Sequence, residues 1–239
     1  MQVNIKSNID SLYLKVTKNS SIDETLIVAV SKKKPIEDIL KANEFGITNF
    51  GENYAQELQL KAEQLDKNII KWHFIGPIQS NKAKLVATYA NWIHSLCREK
   101  VIKKINNECI KIGKQINGLI QINISNEESK DGIDPKELMD YANLINSLEK
   151  INLKGIMVLP KIMEDEAETN KIMNECKQIH NKLLSKYPKA TFLSMGTTSD
   201  FEIALKNGSN LIRIGELIFG KRVKWKKYYF SDVEIFHNH

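Results

Sequence analysis

Short apolar runs return along this 239-residue chain, and longer amphipathic segments separate them. The runs predict eight strands, at 26–30, 46–50, 71–75, 92–96, 118–124, 153–159, 191–195 and 210–214. Apolar residues with helical spacing predict helices over 35–45, 53–65, 80–90, 98–113, 135–149, 165–187 and 199–208. Pro35 suits a first helical position, and Gly208 suits a helix end. Residues 1–20 predict an additional leading helix.

Continuously apolar strands that alternate with helices indicate a parallel sheet covered on both faces. Eight such units in 239 residues favour an α/β fold of the (β/α)8 type, the TIM barrel, whose typical size is roughly 250 residues. An open doubly wound sheet is the alternative. Because no linker-like stretch divides the sequence, we expect a single domain over residues 1–239, with a C-terminal tail at 223–239.

Composition and charge restrict the classes of function. The net charge is +6, but the lysines are spread along the whole chain, so we expect no specific nucleic-acid partner. A basic run at 220–229 is interpreted as a solvated tail segment, with phosphate or RNA contact as the alternative. Three cysteines without CxxC spacing predict neither disulfides nor a zinc site and fit a reducing cytoplasm.

Other patterns exclude further classes of protein. No run approaches the about 20 apolar residues of a membrane span, and no glycine-rich dinucleotide or Walker motif is present. His73 and His94 lie in or beside strands without a partner at metal-ligand spacing, so we expect core or rim histidines and no metal. The expected protein is a cytoplasmic barrel, most simply a monomer.

The C-terminal ends of the strands are where a (β/α)8 barrel carries its chemistry. After the seventh and eighth strands, "SMGTTSD" (194–200) and "RIGELIFG" (213–220) place hydroxyls and glycines before helix starts. Helix N-termini favour anions, so the two neighbouring junctions predict a phosphate site. For "TTSD" alone, an ordinary helix cap is the more common interpretation.

Three consecutive lysines, Lys32, Lys33 and Lys34, follow the first strand. Side chains alternate along a strand, so at most one of the neighbours Lys32 and Lys33 faces the barrel mouth. The adjacent cations and the positive end of the helix at Pro35 would disfavour its protonated form. A neutral amine is what Schiff-base formation requires, so Lys32 is a candidate, with a solvated loop as the alternative.

Seven segments, taken in order, resemble the pyridoxal phosphate homeostasis proteins. They are "AVSKKKP", "FGENYAQE", "WHFIGPIQSNK", "INISNEESKDGI", "LKGIMVLP", "LSMGTTSDFEIALKNGS" and "IRIGELIFGKR", from about Leu26 to Arg222. The resemblance implies one barrel similar to the N-terminal domain of bacterial alanine racemase. It also implies binding of pyridoxal 5′-phosphate (PLP) and its transient delivery to apoenzymes, without efficient catalysis.

The resemblance also implies roles for the matching residues. Lys32 would form the Schiff base with PLP, Asn53 would lie near the cofactor ring, and Arg213 would point at the pyridine nitrogen. The phosphate would be held near Ser194, Thr198, Gly215 and the backbone of Glu216. Glu216 stands where the family often has threonine, so its side chain is not expected to bind the phosphate.

Two further lysines are secondary candidates. Lys34 would act as a second binding residue or as an electrostatic aid to Lys32, and Lys130 matches a family lysine near the mouth that takes part in cofactor exchange.

The expected absence of catalysis follows from the role implied for Arg213. A permanently charged guanidinium disfavours protonation of the ring nitrogen and makes the ring a poor electron sink. Alanine racemase also uses a tyrosine from another domain, which we expect this chain to lack. The alternatives are a racemase-like PLP enzyme, or a barrel for another phosphorylated metabolite in which Lys32 is only an ion-pair partner.

Overall fold

The computed structural model describes residues 3–20, 24–125, 131–161 and 163–221. Within these residues, eight parallel strands close into a barrel in chain order. They are Leu26–Val30 (β1), Asn49–Glu52 (β2), Lys71–Phe74 (β3), Trp92–Leu96 (β4), Ile116–Ile122 (β5), Ile151–Val158 (β6), Phe192–Thr197 (β7) and Leu211–Ile214 (β8). Pairing of β8 with β1 closes the barrel. The predicted (β/α)8 fold is confirmed, and an open sheet is excluded.

Helices alternate with the strands and cover the outside of the barrel. They are Ile5–Asn19 (α1), Ile36–Glu44 (α2), Ala55–Ala62 (α3), Ala83–Tyr89 (α4), Glu99–Lys111 (α5), Leu138–Asn146 (α6), Glu166–Lys186 (α7), Phe201–Lys206 (α8) and Glu216–Phe219 (α9). Single 3₁₀ turns, Ser80–Lys82 and Pro135–Glu137, precede α4 and α6. The predicted leading helix is confirmed as α1, and the predicted tail at 223–239 lies outside the described residues.

The second strand differs most from its predicted position. It begins at Asn49 instead of residue 46, because Gly46 adopts a φ of 89° and donates its N–H to the Asn43 carbonyl at 3.0 Å. A left-handed glycine of this kind ends a helix. Residues 46–48, which the apolar pattern gave to the strand, therefore form the turn and loop that lead from α2 to β2.

Strand side chains alternate between two apolar layers. Ile27 and Ala29 belong to the large layer between strands and helices. The inner layer has a different set of buried residues, namely Val28, Leu119, Met157 and Leu211. Because Val28 faces the interior, Leu26 and Val30 share the inner face of β1 with it. The packing thus shows which face of β1 is inside the barrel, which the apolar pattern left open. The expectation that Lys32 continues on that face beyond the strand stays a prediction.

Two classes of feature are missing from the part of the chain that the structure describes. None of its helices combines the length and the apolar character needed to cross a membrane. No group of three or more His, Cys, Asp or Glu side chains in it could hold a metal ion.

The three cysteines are free thiols, and burial raises the pKa of Cys176 to about 12, which makes that thiol unreactive.

Among the glycines of the described residues, Gly155 leaves the least room for a Cβ atom. Its φ is 148°, and a Cβ atom there would lie 1.8 Å from the Phe192 carbonyl oxygen of β7. Gly113 has a φ of 65° but nothing within 4 Å of its Cβ position. We expect Gly155→Ala to lower the free energy of unfolding by about 4 kcal/mol or more, against about 1–2 kcal/mol for Gly113→Ala.

Urea denaturation of both variants checks this expectation. Equal losses would mean that backbone conformation alone, and not the contact between β6 and β7, determines the need for glycine at residue 155.

Candidate functional site

The rim at the C-terminal ends of the strands brings together most of the residues singled out from the sequence. Lys32 follows β1, Asn53 follows β2 and Thr198 follows β7. Gly215 and Glu216 follow β8, which pairs with both β7 and β1. The lysine turn and the two glycine-containing junctions are therefore neighbours around the barrel.

Lys32 lies in a tight turn that begins where β1 ends. The Lys34 N–H donates to the Ser31 carbonyl at 2.9 Å and closes the turn. Lys33 has a φ of 60°, a left-handed conformation that is uncommon for any residue other than glycine. Lys33 is exposed, whereas Lys32 is half-buried. The turn thus separates the two neighbouring lysines into different environments.

Lys34 ties this turn to the junction after β8. Its Nζ donates to the carbonyl oxygens of Phe219 at 2.8 Å and Gly220 at 3.3 Å, at the C-terminal end of α9. A cation at that position complements the helix dipole. These contacts give Lys34 a role in holding α9, and its role as a second binding residue stays a prediction. Lys130 lies outside the described residues.

A buried ion cluster of Ser31, Glu52, Glu57 and Lys61 lies between the lysine turn and α3. Glu52 Oε1 accepts from Ser31 Oγ at 2.7 Å and from Lys61 Nζ at 2.7 Å. Lys61 Nζ also donates to Glu57 Oε1 at 2.7 Å and to the Ser31 carbonyl at 2.8 Å. Burial raises the pKa of Glu52 to about 7 and outweighs the opposing effect of Lys61.

Asn53 presents a buried acceptor atom at the mouth. Within the described ranges, its Oδ1 has no hydrogen-bond partner. The loop after β3 covers the Asn53 backbone so closely that a Cβ at Gly76 would lie 2.3 Å from the Asn53 carbonyl oxygen. A buried amide oxygen without a partner is costly, so a polar ligand that donates to Asn53 would relieve that cost.

A chain of hydrogen bonds crosses the interior of the barrel at the level of Arg213. This buried guanidinium donates from Nη1 to Ser194 Oγ and from Nη2 to the Val158 carbonyl at 3.0 Å. Ser194 Oγ lies 3.3 Å from His94 Nδ1. Burial lowers the pKa of Arg213 to about 10, which leaves it charged at neutral pH, and the Asp200 carboxylate opposes this lowering.

The residues at the two ends of this chain of hydrogen bonds determine which atom donates in each bond. Arg213 can only donate, so Ser194 accepts from it and its hydroxyl hydrogen is directed to His94 Nδ1. His94 Nε2 then donates to His73 Nδ1 at 2.9 Å, and His73 Nε2 donates to Asn49 Oδ1 at 3.0 Å. Burial lowers the pKa of His73 to about 3 and that of His94 well below its usual value, so both rings are neutral.

The Ser194 hydroxyl is therefore engaged on both sides inside the barrel. It supports Arg213, and a phosphate contact from this side chain stays a prediction. At the same junction, Asp200 Oδ1 accepts from the Thr197 N–H at 2.6 Å and from Thr197 Oγ1 at 2.8 Å. Asp200 thus bonds back to Thr197 and makes no side-chain cap for α8. Thr198 is half-buried beside this turn.

The junction after β8 contributes backbone groups. Gly215 precedes the first residue of α9, and the Glu216 side chain is exposed. The first N–H groups of a helix have no partner within it, so this backbone can donate to an anion. The role expected for the Glu216 backbone at the phosphate stays a prediction.

The hydrogen-bond chain and the ion cluster were both missed from the sequence. The signal for the chain was a polar residue at an inward position of an apolar strand, as at His73, His94 and Ser194. The prediction that both histidines belong to the core or rim is confirmed, because neither ring is exposed. Their pairing depends on the register between β3 and β4, which the sequence pattern does not determine.

Comparison with protein families places the chain in a known group. Residues 4–223 match the family model described as alanine racemase, N-terminal domain. The pyridoxal phosphate homeostasis protein of Pasteurella multocida is 44% identical over 200 residues, which cover 82% of this chain and 86% of that protein. The Escherichia coli K12 protein of the same name is 37% identical and is covered to 90%, over 87% of this chain. These relatives carry the name of a homeostasis protein and not that of an enzyme.

Solved structures agree with the fold. PipY of Synechococcus elongatus PCC7942, in a structure described as having PLP bound, superposes with a TM-score of 0.81 at 28% identity, over 91% of this chain and all of that one (100%). An alanine racemase of Clostridium difficile 630 reaches a TM-score of 0.73 at 14% identity, over 96% of this chain but 57% of that one. The second similarity concerns the barrel fold alone.

The buried histidine pair generates a prediction about protonation. We expect His73 and His94 to stay neutral, with the hydrogen on Nε2, from about pH 5 to pH 8, because burial lowers the pKa of His73 to about 3 and that of His94 well below its usual value. Nitrogen-15 NMR of the imidazoles measures both the tautomer and the titration. A transition near the ordinary histidine pKa of about 6.5 would contradict the direction derived for the chain.

Glu52 should make the stability of the fold depend on pH near neutrality. Its folded-state pKa is raised to about 7, so the folded state retains a proton that the unfolded state releases at lower pH. The stabilisation is complete below the unfolded-state pKa and is lost as the pH rises through about 7. From about pH 5 to pH 8, the free energy of unfolding of the wild type should fall relative to that of Glu52→Gln.

Urea denaturation at several pH values measures this difference. The control is Glu99→Gln, which removes an exposed ion pair with Lys103 on α5 and should keep the wild-type pH profile. Parallel profiles for Glu52→Gln and the wild type would contradict a raised pKa at Glu52.

Proposed function

The chain belongs to the pyridoxal phosphate homeostasis family, whose barrel is that of the alanine racemase N-terminal domain, and we propose that it binds PLP covalently through Lys32. The observation that carries the proposal is the placement of a half-buried lysine above a buried arginine. Val28 pairs with Arg213 across β1 and β8, and alternation continued past the end of β1 would direct Lys32 to the same inner face. An amine at the rim above a buried guanidinium is the arrangement that supports the proposal.

PLP supplies an aldehyde to this site. The Lys32 Nζ forms a C=N bond with the aldehyde carbon, and the carbonyl oxygen leaves as water with the two amine hydrogens. The Lys32 side chain lies at the end of β1, while the hydroxyl of its neighbour Ser31 is turned away into the ion cluster. Lys32 is thus the residue of this turn that can act from the inner face.

The other proposed contacts hold the ring of the cofactor in the barrel interior and its phosphate at the rim. Arg213 faces the ring nitrogen, and the buried Asn53 Oδ1 accepts a hydrogen bond from the ligand or its bound water. Phosphate oxygens are held by Thr198 and by the backbone of Gly215 and Glu216. This division agrees with the charges, since the cation lies inside and the phosphate meets N–H groups and a hydroxyl.

The support for a non-catalytic role is the environment of Arg213. Its guanidinium stays charged and is held by Ser194 and the Val158 carbonyl, so it disfavours a proton on the ring nitrogen. The hydrogen-bond chain that leads away from Arg213 contains two neutral histidines, whose N–H groups already donate to His73 Nδ1 and to Asn49 Oδ1. The proposed role is therefore to hold PLP and pass it to apoenzymes, as a cytoplasmic and monomeric protein.

Absorbance spectra of purified protein with added PLP test the binding residue. We expect the wild type and Lys33→Ala to develop the visible band of a Schiff base and Lys32→Ala to lack it, because the proposal assigns the inner face to Lys32 while Lys33 is exposed. Lys33→Ala is a matched control, since it removes a neighbouring cation of the same turn. Circular dichroism should show the same fold for all three, because a rim lysine contributes little to the core.

Each contrary outcome has a distinct meaning. A band that survives in Lys32→Ala would place the covalent bond on another lysine. A wild type that takes up no PLP would favour a different phosphorylated ligand, with Lys32 as an ion-pair partner. Sustained racemisation of alanine by the purified protein would contradict the non-catalytic role.

A further inference from the structure

The turn that carries Lys32 adopts a conformation that its sequence does not favour. Lys33 occupies the third position of the Ser31–Lys34 turn with a φ of 60°. Glycine is the usual residue at such a position, because a side chain there contacts the backbone unfavourably. Some other interaction must therefore hold the backbone of this turn in place.

The ion cluster makes that interaction on both sides of Lys32. On the N-terminal side, Ser31 gives its hydroxyl to Glu52 at 2.7 Å and receives Lys61 Nζ on its carbonyl at 2.8 Å. On the C-terminal side, the Lys33 N–H donates to Glu57 Oε1 at 2.6 Å. The two residues that flank Lys32 are thus bound to one cluster.

The cluster is almost completely shielded from solvent. The side chains of Glu52 and Lys61 are 0% and 7% exposed, and that of Glu57 is 18% exposed. One ammonium group bridges two carboxylates, so removing Lys61 leaves both carboxylates without a cation, and removing either carboxylate takes one hydrogen-bond acceptor from Lys61. The members therefore hold one another in a single arrangement.

We propose that Glu52, Glu57 and Lys61 are positioning residues for the Lys32 amine, because they hold the strained turn from which it projects. The inference rests on the proposed covalent binding of PLP by Lys32. Condensation requires the amine within about 3–3.5 Å of the aldehyde carbon, and a displacement of 1 Å can cost about a hundredfold in rate. A lysine on a loose turn would lose this pre-organisation.

If the ion cluster only stabilised the fold, its substitutions would lower stability without a specific effect on Schiff-base formation. Lys114 provides the control for this alternative. Lys114 Nζ donates to the carbonyl oxygens of Ala87, Thr88 and Ala90 at 3.0, 2.8 and 2.6 Å. It is half-buried and lies before β5, at the end of the barrel away from the rim. Lys114→Met therefore removes a buried ammonium group without touching the lysine turn.

The test measures the rate and equilibrium constants of Schiff-base formation with PLP by visible absorbance, and stability by urea denaturation. For Lys61→Met and Glu57→Gln we expect both constants to fall by about tenfold or more. Lys114→Met should lower the stability and leave both constants unchanged. If Lys61→Met does not fold, Glu57→Gln carries the test, since its side chain is the most exposed of the three.

A second substitution separates the turn from the rest of the fold. Lys33→Gly adopts the observed φ without steric cost, so in the Glu57→Gln background it should recover part of the lost rate constant. Absence of recovery would mean that the cluster does not act through the turn and would overturn the proposal.

Failure of this inference is distinguishable from failure of the proposed function. If the wild type forms the Schiff base and Lys61→Met and Glu57→Gln form it with wild-type constants, the positioning role is overturned while the proposed function stands. If the wild type forms no Schiff base at Lys32, the proposed function fails and the positioning role fails with it.

Discussion

Closure of the barrel through the pairing of β8 with β1 is the constraint on which the site depends. It places the lysine turn after β1 beside the junction after β8, although about 180 residues separate Val30 from Leu211 in the chain. It also gives the strands a buried inner face. Polar side chains on that face must bond to one another, and the hydrogen bonds by which Ser194 links Arg213 to His94 follow from this requirement.

Two separate networks of buried polar side chains support the proposed site. The chain that ends in Arg213 holds a fixed positive charge inside the barrel, with its protons directed away from the guanidinium. The ion cluster around Glu52 lies on the other side of β1, among the helices, and fixes the backbone that carries Lys32. The amine and the guanidinium are thus positioned independently, one from outside the barrel wall and the other from inside it.

Much of this arrangement could be predicted from the sequence, and the contacts that could not be predicted depend on how the helices and strands pack. Apolar runs located the strands because burial on both faces requires continuous apolar residues, and a left-handed Gly46 explains the displaced start of β2. Resemblance selected Lys32, Asn53 and Arg213. The contacts of Glu52 with Lys61 could not be predicted, because they depend on the angle at which α3 packs on the barrel, and that angle leaves no periodic signal.

The central claim is that Lys32, and no neighbouring lysine, bonds to the PLP aldehyde. Borohydride reduction of the PLP-loaded wild type, followed by proteolysis and tandem mass spectrometry, tests it most directly, because reduction makes the bond permanent before the protein is unfolded. We expect the cofactor on Lys32 alone within the peptide that also contains Lys33 and Lys34. Label on Lys33, on Lys34 or elsewhere in place of Lys32 would contradict it.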